Sequence, residues 1–261
     1  MIYIVTTSHS LAAITNQLNK LDVQESKTFI IYNYFLPSVL IDNLEENCIQ
    51  LTSSSYIDEY LLDNCNDNDL LLSFDCFHVF GIDVVKLFKN RSANFHPSPL
   101  PRYGGINPIS WGLLNEENTW AYTWHRISEK IDEGTVIYQE RFSLNTSLSQ
   151  FKIISTCLFG GLRSLSCVVD VLRENSDKRT DKECLSHSYF DAKSNPELRA
   201  NNINDIIKYS KIIPFNPKSA WRWKVNYKDF LFTAISLTSK FGSIELKKNT
   251  VIDDVVVYYA D

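Results

Sequence analysis

Asn94, His96 and Asp132 are the residues of this chain whose types and spacing suit attack by a nucleophile on a carbonyl carbon. Side chains on a strand alternate with period 2, so Asn94 and His96 project from one face and Phe95 from the other. An imidazole titrating near neutrality takes a proton from a nucleophile and passes it to a leaving group. An amide beside it donates to an oxygen that is turning negative. Such a pair needs a carboxylate to orient the ring and favour its charged form, and Asp132, just before Gly134 in a turn, is the candidate. Each residue alone has a plainer reading, because a lone histidine is more often simply packed and an asparagine before prolines is commonly a turn former. The three together, on one rigid stretch, are what point to chemistry.

That stretch runs from Asn94 to Thr135 and holds Pro97, Pro99, Pro101 and Pro108, half of the eight prolines, with Gly104, Gly105, Gly112 and Gly134, half of the eight glycines. Pro97 lacks an amide donor and ends the strand, which puts Asn94 and His96 at a carboxyl end, where ligands bind in open α/β sheets. Upstream, residues 1–6, 28–35 and 69–74 read as strands. Helices are expected with Leu11, Ile14, Leu18 and Leu21 on one face and Ser8 or Ser10 as cap, then after Pro37, over 56–62 and over 83–88. This alternation predicts an α/β fold, a Rossmann-like, mainly parallel sheet with helices on both faces. No Gly-x-Gly-x-x-Gly and no Gly-Lys pair occurs, so the dinucleotide fingerprint and the P-loop are excluded.

Downstream, residues 119–127 and 135–142 read as strands flanking the Asp132 turn, with Trp120, Tyr122 and Trp124 on one face and Thr123 and His125 on the other. Apolar residues at helical spacing from Leu148 to Leu172 predict one long helix over 147–173, with Gly160-Gly161 as a kink or close-packing site. A polar stretch at 174–183 reads as a linker. Beyond it, a helix is expected over 201–211. Strict alternation of Trp221, Trp223, Val225 and Tyr227 against Arg222, Lys224 and Asn226 predicts one strand of a hairpin with 229–235, and further strands follow over 243–246 and 251–259. The tail bearing Trp221, Arg222, Trp223 and Lys224 is expected to be largely structural and to build a homodimer interface or one wall of a substrate pocket, the alternative being that it only shields core surface.

Composition sets the frame. The 261 residues suffice for one principal domain and an appendage, and a formal charge of −5 argues against a nucleic-acid partner. Six cysteines without a Cys-x-x-Cys pair read as reduced thiols, and no cluster has metal-ligand spacing, so no metal is expected. With no basic leader and no apolar run of membrane-spanning length, a cytoplasmic protein without membrane attachment is the expectation.

The run Asn94-x-His96-x-Ser98-x-Leu100-Pro101-Arg102-x-x-Gly105, then Pro108, Trp111 and Asp132, resembles the catalytic core of the 10-formyltetrahydrofolate-dependent formyltransferase family. The family often has a second Asp just after the turn glycine, where this chain has Thr135. The resemblance implies a catalytic domain over residues 1–175 and a small C-terminal subdomain over 184–261. It implies transfer of a formyl group from 10-formyltetrahydrofolate to a primary amine, with Asn94, His96 and Asp132 catalytic. It puts the folate against Phe77, His78, Val79, Phe80 and Gly81, and against Ser128, Glu129, Lys130 and Ile131. Ser98, Pro99, Leu100, Pro101, Arg102, Tyr103 and Gly105 form the substrate loop. The compact hairpin tail resembles enzymes that formylate nucleotide-linked amino sugars for surface polysaccharide. Initiator-tRNA formyltransferases carry a larger barrel domain and basic surface, and the purine-pathway enzyme ends soon after its core. Formylation of an amino acid or carrier-bound peptide amine is the alternative, and a non-catalytic folate-binding or interaction protein is the reading from another class.

Overall fold

The computed structural model describes residues 1–20, 27–32, 48–51, 55–144, 149–175, 188–190, 196–213, 223–228, 230–236, 240–241, 244–245, 248–253 and 255–260. The helix expected after Pro37, most of the linker, and Trp221 and Arg222 lie outside these residues. The chain divides into two compact units, one of residues 1–104, 121–141 and 157–187, the other of 105–120, 142–156 and 188–261.

The first unit is built on a seven-stranded sheet. Its strands are β1 (Ile2–Thr6), β2 (Lys27–Tyr32), β3 (Cys48–Leu51), β4 (Leu70–Phe74), β5 (Ser92–His96), β7 (Thr119–His125) and β8 (Val136–Ser143) in spatial order β3-β2-β1-β4-β5-β7-β8, with β6 a two-residue strand, Gly104–Gly105, outside the sheet. All pairs from β3 to β5 are parallel, and β5 pairs antiparallel with β7. Strands β1 and β4 are buried throughout, as a parallel sheet covered on both faces requires. The strand order reverses at β1 and β4, the topological switch point whose carboxyl ends form the ligand crevice of such folds. There Asp75, after β4, accepts from Thr7 Oγ1 (2.9 Å) and Ser10 Oγ (2.6 Å), after β1. Ser10 therefore spends its hydroxyl across the switch point, and the expected cap from it is not made.

Helix α1 (Ser8–Lys20) buries Leu11, Ile14 and Leu18 of the stripe read from the sequence, and Leu21 lies outside the described residues. Helices α2 (Ser55–Asn64) and α3 (Ile82–Phe88) follow, the latter leading by a single turn into β5. On the face of β5 opposite His96, Phe95 packs on Phe74 (4.9 Å between centroids) and Trp124 (5.4 Å). A one-residue slip would exchange Phe95 with its polar neighbours, so this apolar cluster fixes the register that presents Asn94 and His96.

The one long helix expected over 147–173 is two helices, Gln150–Arg163 and Leu165–Arg173, bent by 46° at Ser164. Ser164 Oγ donates to the carbonyls of Gly160 and Gly161, each at 3.1 Å, and such back-bonding to the preceding turn bends helices. The two glycines serve close packing instead: a Cβ on Gly160 would lie 2.1 Å from the Tyr122 ring, and one on Gly161 2.4 Å from that of Phe95. No single helix among the described residues is long and apolar enough to cross a membrane.

The second unit carries a five-stranded sheet in the order β10 (Glu197–Ala200), β11 (Lys224–Tyr227), β12 (Phe230–Ser236), β16 (Val255–Ala260), β15 (Lys248–Ile252). Strands β13 (Lys240–Phe241) and β14 (Ile244–Glu245) make a separate short ribbon, and β9 (Tyr189–Phe190) precedes them all in the chain. The hairpin read from alternation is present, Lys224 pairing with Thr233 and Tyr227 with Phe230. The single strand expected over 251–259 is a second hairpin, turned at Asp253, whose φ of 46° takes it out of extended geometry. Helix Ile203–Ile212 packs Ile206 and Ile212 into this core with Trp223, Val225 and Phe232, and Asn202 caps it by accepting from the amides of Asn204 and Asp205. Trp223 is a core residue, 1% exposed, which fits the alternative in which the tail shields core surface. Pro108 opens a helix, Pro108–Leu114, that the alternation pattern did not reveal, although proline at a first helical position is its ordinary place.

Candidate active site

The end of β5, the end of β7 and the turn after β7 converge on one buried polar cluster. Asn94 lies directly across the sheet from His125, and His96 from Thr123. Asn94 Nδ2 meets His125 Nε2 at 3.1 Å, and His125 Nδ1 meets the Arg126 carbonyl at 2.8 Å. A carbonyl only accepts, so His125 carries its proton on Nδ1, and its bare Nε2 accepts from Asn94. By the same argument His96 carries its proton on Nε2, which donates to the Tyr103 carbonyl at 2.9 Å. The lone pair on His96 Nδ1 then faces Asp132 Oδ2 at 3.6 Å, while Asp132 Oδ1 lies 3.4 Å from His125 Nε2.

A lone pair facing a carboxylate invites a proton between them, so Nδ1 is the basic atom of this site. Burial pushes His96 below the ordinary histidine value, opposed by the Asp132 charge and the Tyr103 hydrogen bond and reinforced by His125. The resting ring is thus held neutral, ready to accept a proton, with a carboxylate in place to stabilise the cation once formed. Both residues that hold His96 have left-handed backbone, Tyr103 at φ 62° and Asp132 at φ 57°. For a bulky residue such as Tyr103 that conformation costs about 1–2 kcal/mol, which the surrounding packing must offset. The Asp132 turn is closed by Gly134, where a Cβ would stand 1.8 Å from the Arg126 carbonyl oxygen, so no side chain fits.

His125 is the member of the cluster that the site expectations missed. The period-2 reading put it beside Thr123 on one face of β7, but only the antiparallel pairing sets it opposite Asn94. The substrate-loop residues divide. Ser98, Leu100 and Tyr103 are buried and Pro99 with them, so they shape the bend and present no free side chain; Pro101, Arg102 and Gly105 remain partly open. The Leu100–Pro101 peptide is cis.

The two segments expected to hold the folate both carry uncovered apolar side chains: Phe77 is 75% exposed, Val79 59% and Ile131 43%. Asp58, on α2, anchors the first segment with both oxygens, Oδ1 at 2.8 Å from His78 Nε2 and Oδ2 accepting the Gly81 amide at 2.8 Å. Phe80 packs edge-on against the His78 ring at 4.8 Å. In the second, Ser128 Oγ donates to the Lys130 carbonyl (2.8 Å), and the Lys130–Glu133 ion pair is solvated, as is Glu129. Among the described residues no group of three or more His, Cys, Asp or Glu is arranged to hold a metal. The described cysteines are free, and burial pushes the Cys65 and Cys157 thiols up to about 12, which leaves them unreactive.

A doubly wound sheet with an asparagine–histidine–aspartate cluster at its carboxyl end has the donors and the base that proton transfer at a carbonyl carbon requires. Residues 50–155 match the model of the formyl transferase family. Among curated relatives, the GDP-perosamine N-formyltransferase of Brucella melitensis is 33% identical over 87 residues, 33% of this chain and 34% of its own. A methionyl-tRNA formyltransferase of Borrelia garinii is 26% identical over 214 residues, 76% of this chain and 64% of its own. The chain thus spans less than two thirds of the length of either. Among solved structures, the N-formyltransferase of Helicobacter canadensis in complex with folinic acid and dTDP-3-aminofucose shares the fold over 99% of this chain and 98% of its own, with a TM-score of 0.64 and 16% identity.

Proposed function

We propose that this protein is an N-formyltransferase that moves a formyl group from 10-formyltetrahydrofolate to the primary amine of a nucleotide-linked amino sugar, of the kind built into surface polysaccharide. The observation that carries the reading is the cluster in which His96 Nδ1, neutral and unprotonated, faces Asp132 at 3.6 Å while Asn94 shares its strand face and is held by His125. The folate, when bound, supplies the formyl carbon. The exposed Phe77, Val79 and Ile131 fit its flat ring system, since the two segments bearing them are fixed by Asp58 and Ser128 and leave apolar surface uncovered. His96 Nδ1 takes the proton lost by the attacking amine and returns it to the departing nitrogen, and Asp132 stabilises the imidazolium between the two transfers. Asn94 keeps one amide hydrogen on His125 and has a second for the oxygen that gains negative charge.

The sugar acceptor is favoured because the likeness to the Helicobacter enzyme spans 99% of this chain, the C-terminal sheet included. A cytoplasmic setting, a homodimer, and a catalytic domain over 1–175 with a subdomain over 184–261 belong to the same reading. The test is incubation of the purified protein with 10-formyltetrahydrofolate and a panel of dTDP-, UDP- and GDP-linked amino sugars, with a peptide amine and aminoacylated initiator tRNA in parallel. Mass spectrometry should find one added formyl group on a sugar nucleotide with wild type and none with His96→Asn. Formylation of the tRNA or peptide alone would overturn the acceptor, and formylation of nothing would overturn the activity.

A further inference from the structure

The bend that holds His96 has too few donors of its own. Pro97, Pro99 and Pro101 contribute carbonyls and no N–H groups, yet the bend is buried around Ser98, Leu100 and Tyr103, where every backbone carbonyl needs a partner. Its internal bonds are local turns: Ser98 N to His96 O (2.9 Å), Leu100 N to Ser98 O (3.0 Å) and Arg102 N to Pro99 O (3.0 Å), with Ser98 Oγ donating to Arg102 O (3.2 Å). Two side chains, one on β7 and one on β8, fasten it to the sheet. Thr123 Oγ1 donates to Ser98 O at 2.6 Å and accepts from Leu100 N at 3.3 Å. Gln139 Nε2 places both hydrogens, one on Leu100 O and one on Thr123 Oγ1, each at 2.8 Å.

We propose that Gln139, acting through Thr123, is a positioning residue that locks the Ser98–Tyr103 bend and thereby the tautomer and placement of His96. The chain of causes is short. Gln139 orients the Thr123 hydroxyl: with one Gln139 N–H and the Leu100 N–H filling the acceptor side of Oγ1, the Thr123 proton points at Ser98 O. The fixed bend then holds Tyr103, in its left-handed conformation, with its carbonyl on His96 Nε2. That bond keeps the proton on Nε2 and the lone pair of Nδ1 toward Asp132. Gln139 touches neither reactant; its effect is on the geometry of the base. The inference rests on the reading of His96 as the proton acceptor, but its structural half does not.

Gln139→Met keeps the length of the side chain and removes both donors, and Gln139 is only half-buried, so the variant should fold. Expected is a fall in kcat of roughly tenfold to a hundredfold, because small misplacement of a reacting group is expensive, with KM for the folate donor unchanged. Nitrogen-15 NMR of the imidazoles, which needs no turnover, should show a single Nε2–H tautomer for neutral His96 in wild type and a mixture in Gln139→Met. Thr123→Val should repeat the defect, and Thr123→Ser, which keeps the hydroxyl, should restore it. A folded Gln139→Met protein with wild-type kcat and one tautomer overturns the proposal, as does a loss confined to KM. Should wild type transfer no formyl group, the tautomer measurement still decides the positioning role, separately from the proposed function.

Discussion

Replacing Asp132 with asparagine removes one negative charge from a pocket where two imidazoles face it, His96 Nδ1 at 3.6 Å and His125 Nε2 at 3.4 Å. Attraction between unit charges at such separations is about 4 kcal/mol at an effective dielectric of ~20. After solvation losses, an adjacent opposite charge moves a pKa by roughly 1–3 units. Asparagine matches aspartate in size, so the turn closed by Gly134 stands, but an amide N–H facing Nδ1 donates to its lone pair and favours the neutral ring. His96, already below the ordinary histidine value because it is buried, falls further and becomes a weaker base. Turnover at the pH plateau should drop by roughly 10²–10³-fold. The acid limb of kcat/KM should move to lower pH, since the free protein protonates His96 only in more acidic solution. The assay is a pH–rate profile of formylated product, paired with an NMR titration of His96. A plateau near the wild-type rate, or an acid limb that moves to higher pH, refutes the reasoning.

Asp58→Ala frees His78 and Gly81 together, and the loss of charge-assisted hydrogen bonds is expected to raise KM for the folate donor roughly tenfold with kcat little changed, read from initial rates. Gly160→Ala drives a methyl group into the Tyr122 ring and should destabilise the protein by about 1–3 kcal/mol in urea melts. Because His96 is depressed in the folded state, the folded protein binds fewer protons than the unfolded chain as pH falls below the ordinary histidine value of about 6.5. Its contribution to stability is present above that pH and lost as pH drops through the lower folded value. His96→Asn should flatten this part of the stability profile. Trp223→Ala, emptying a site 1% exposed, should cost about 3–5 kcal/mol by thermal melt without altering the donor KM.

Local rules make much of the site legible in the sequence. Period-2 alternation and Pro97 are enough to put Asn94 and His96 on one face at a strand end, and the Gly134 turn points to Asp132, because these are properties of neighbouring residues. The alternation of strands and helices likewise implies the parallel sheet. The bend at Ser164 is hidden because the apolar spacing runs straight through it, and a serine hydroxyl bonding to the preceding turn leaves no mark on periodicity.

What the tertiary structure alone decided is which distant groups meet. His125 joins Asn94 through antiparallel pairing across 31 residues, and Asp58 reaches His78 over 20. Gln139 reaches the Leu100 carbonyl across 39. His96 takes its proton position from a backbone carbonyl, Tyr103, whose identity as a residue is irrelevant to the bond. A chain's own pattern fixes which way each side chain faces along its element. The register between elements, and the backbone groups it delivers, follow from the packing of the whole sheet, where Phe95, Phe74 and Trp124 interlock and permit one alignment.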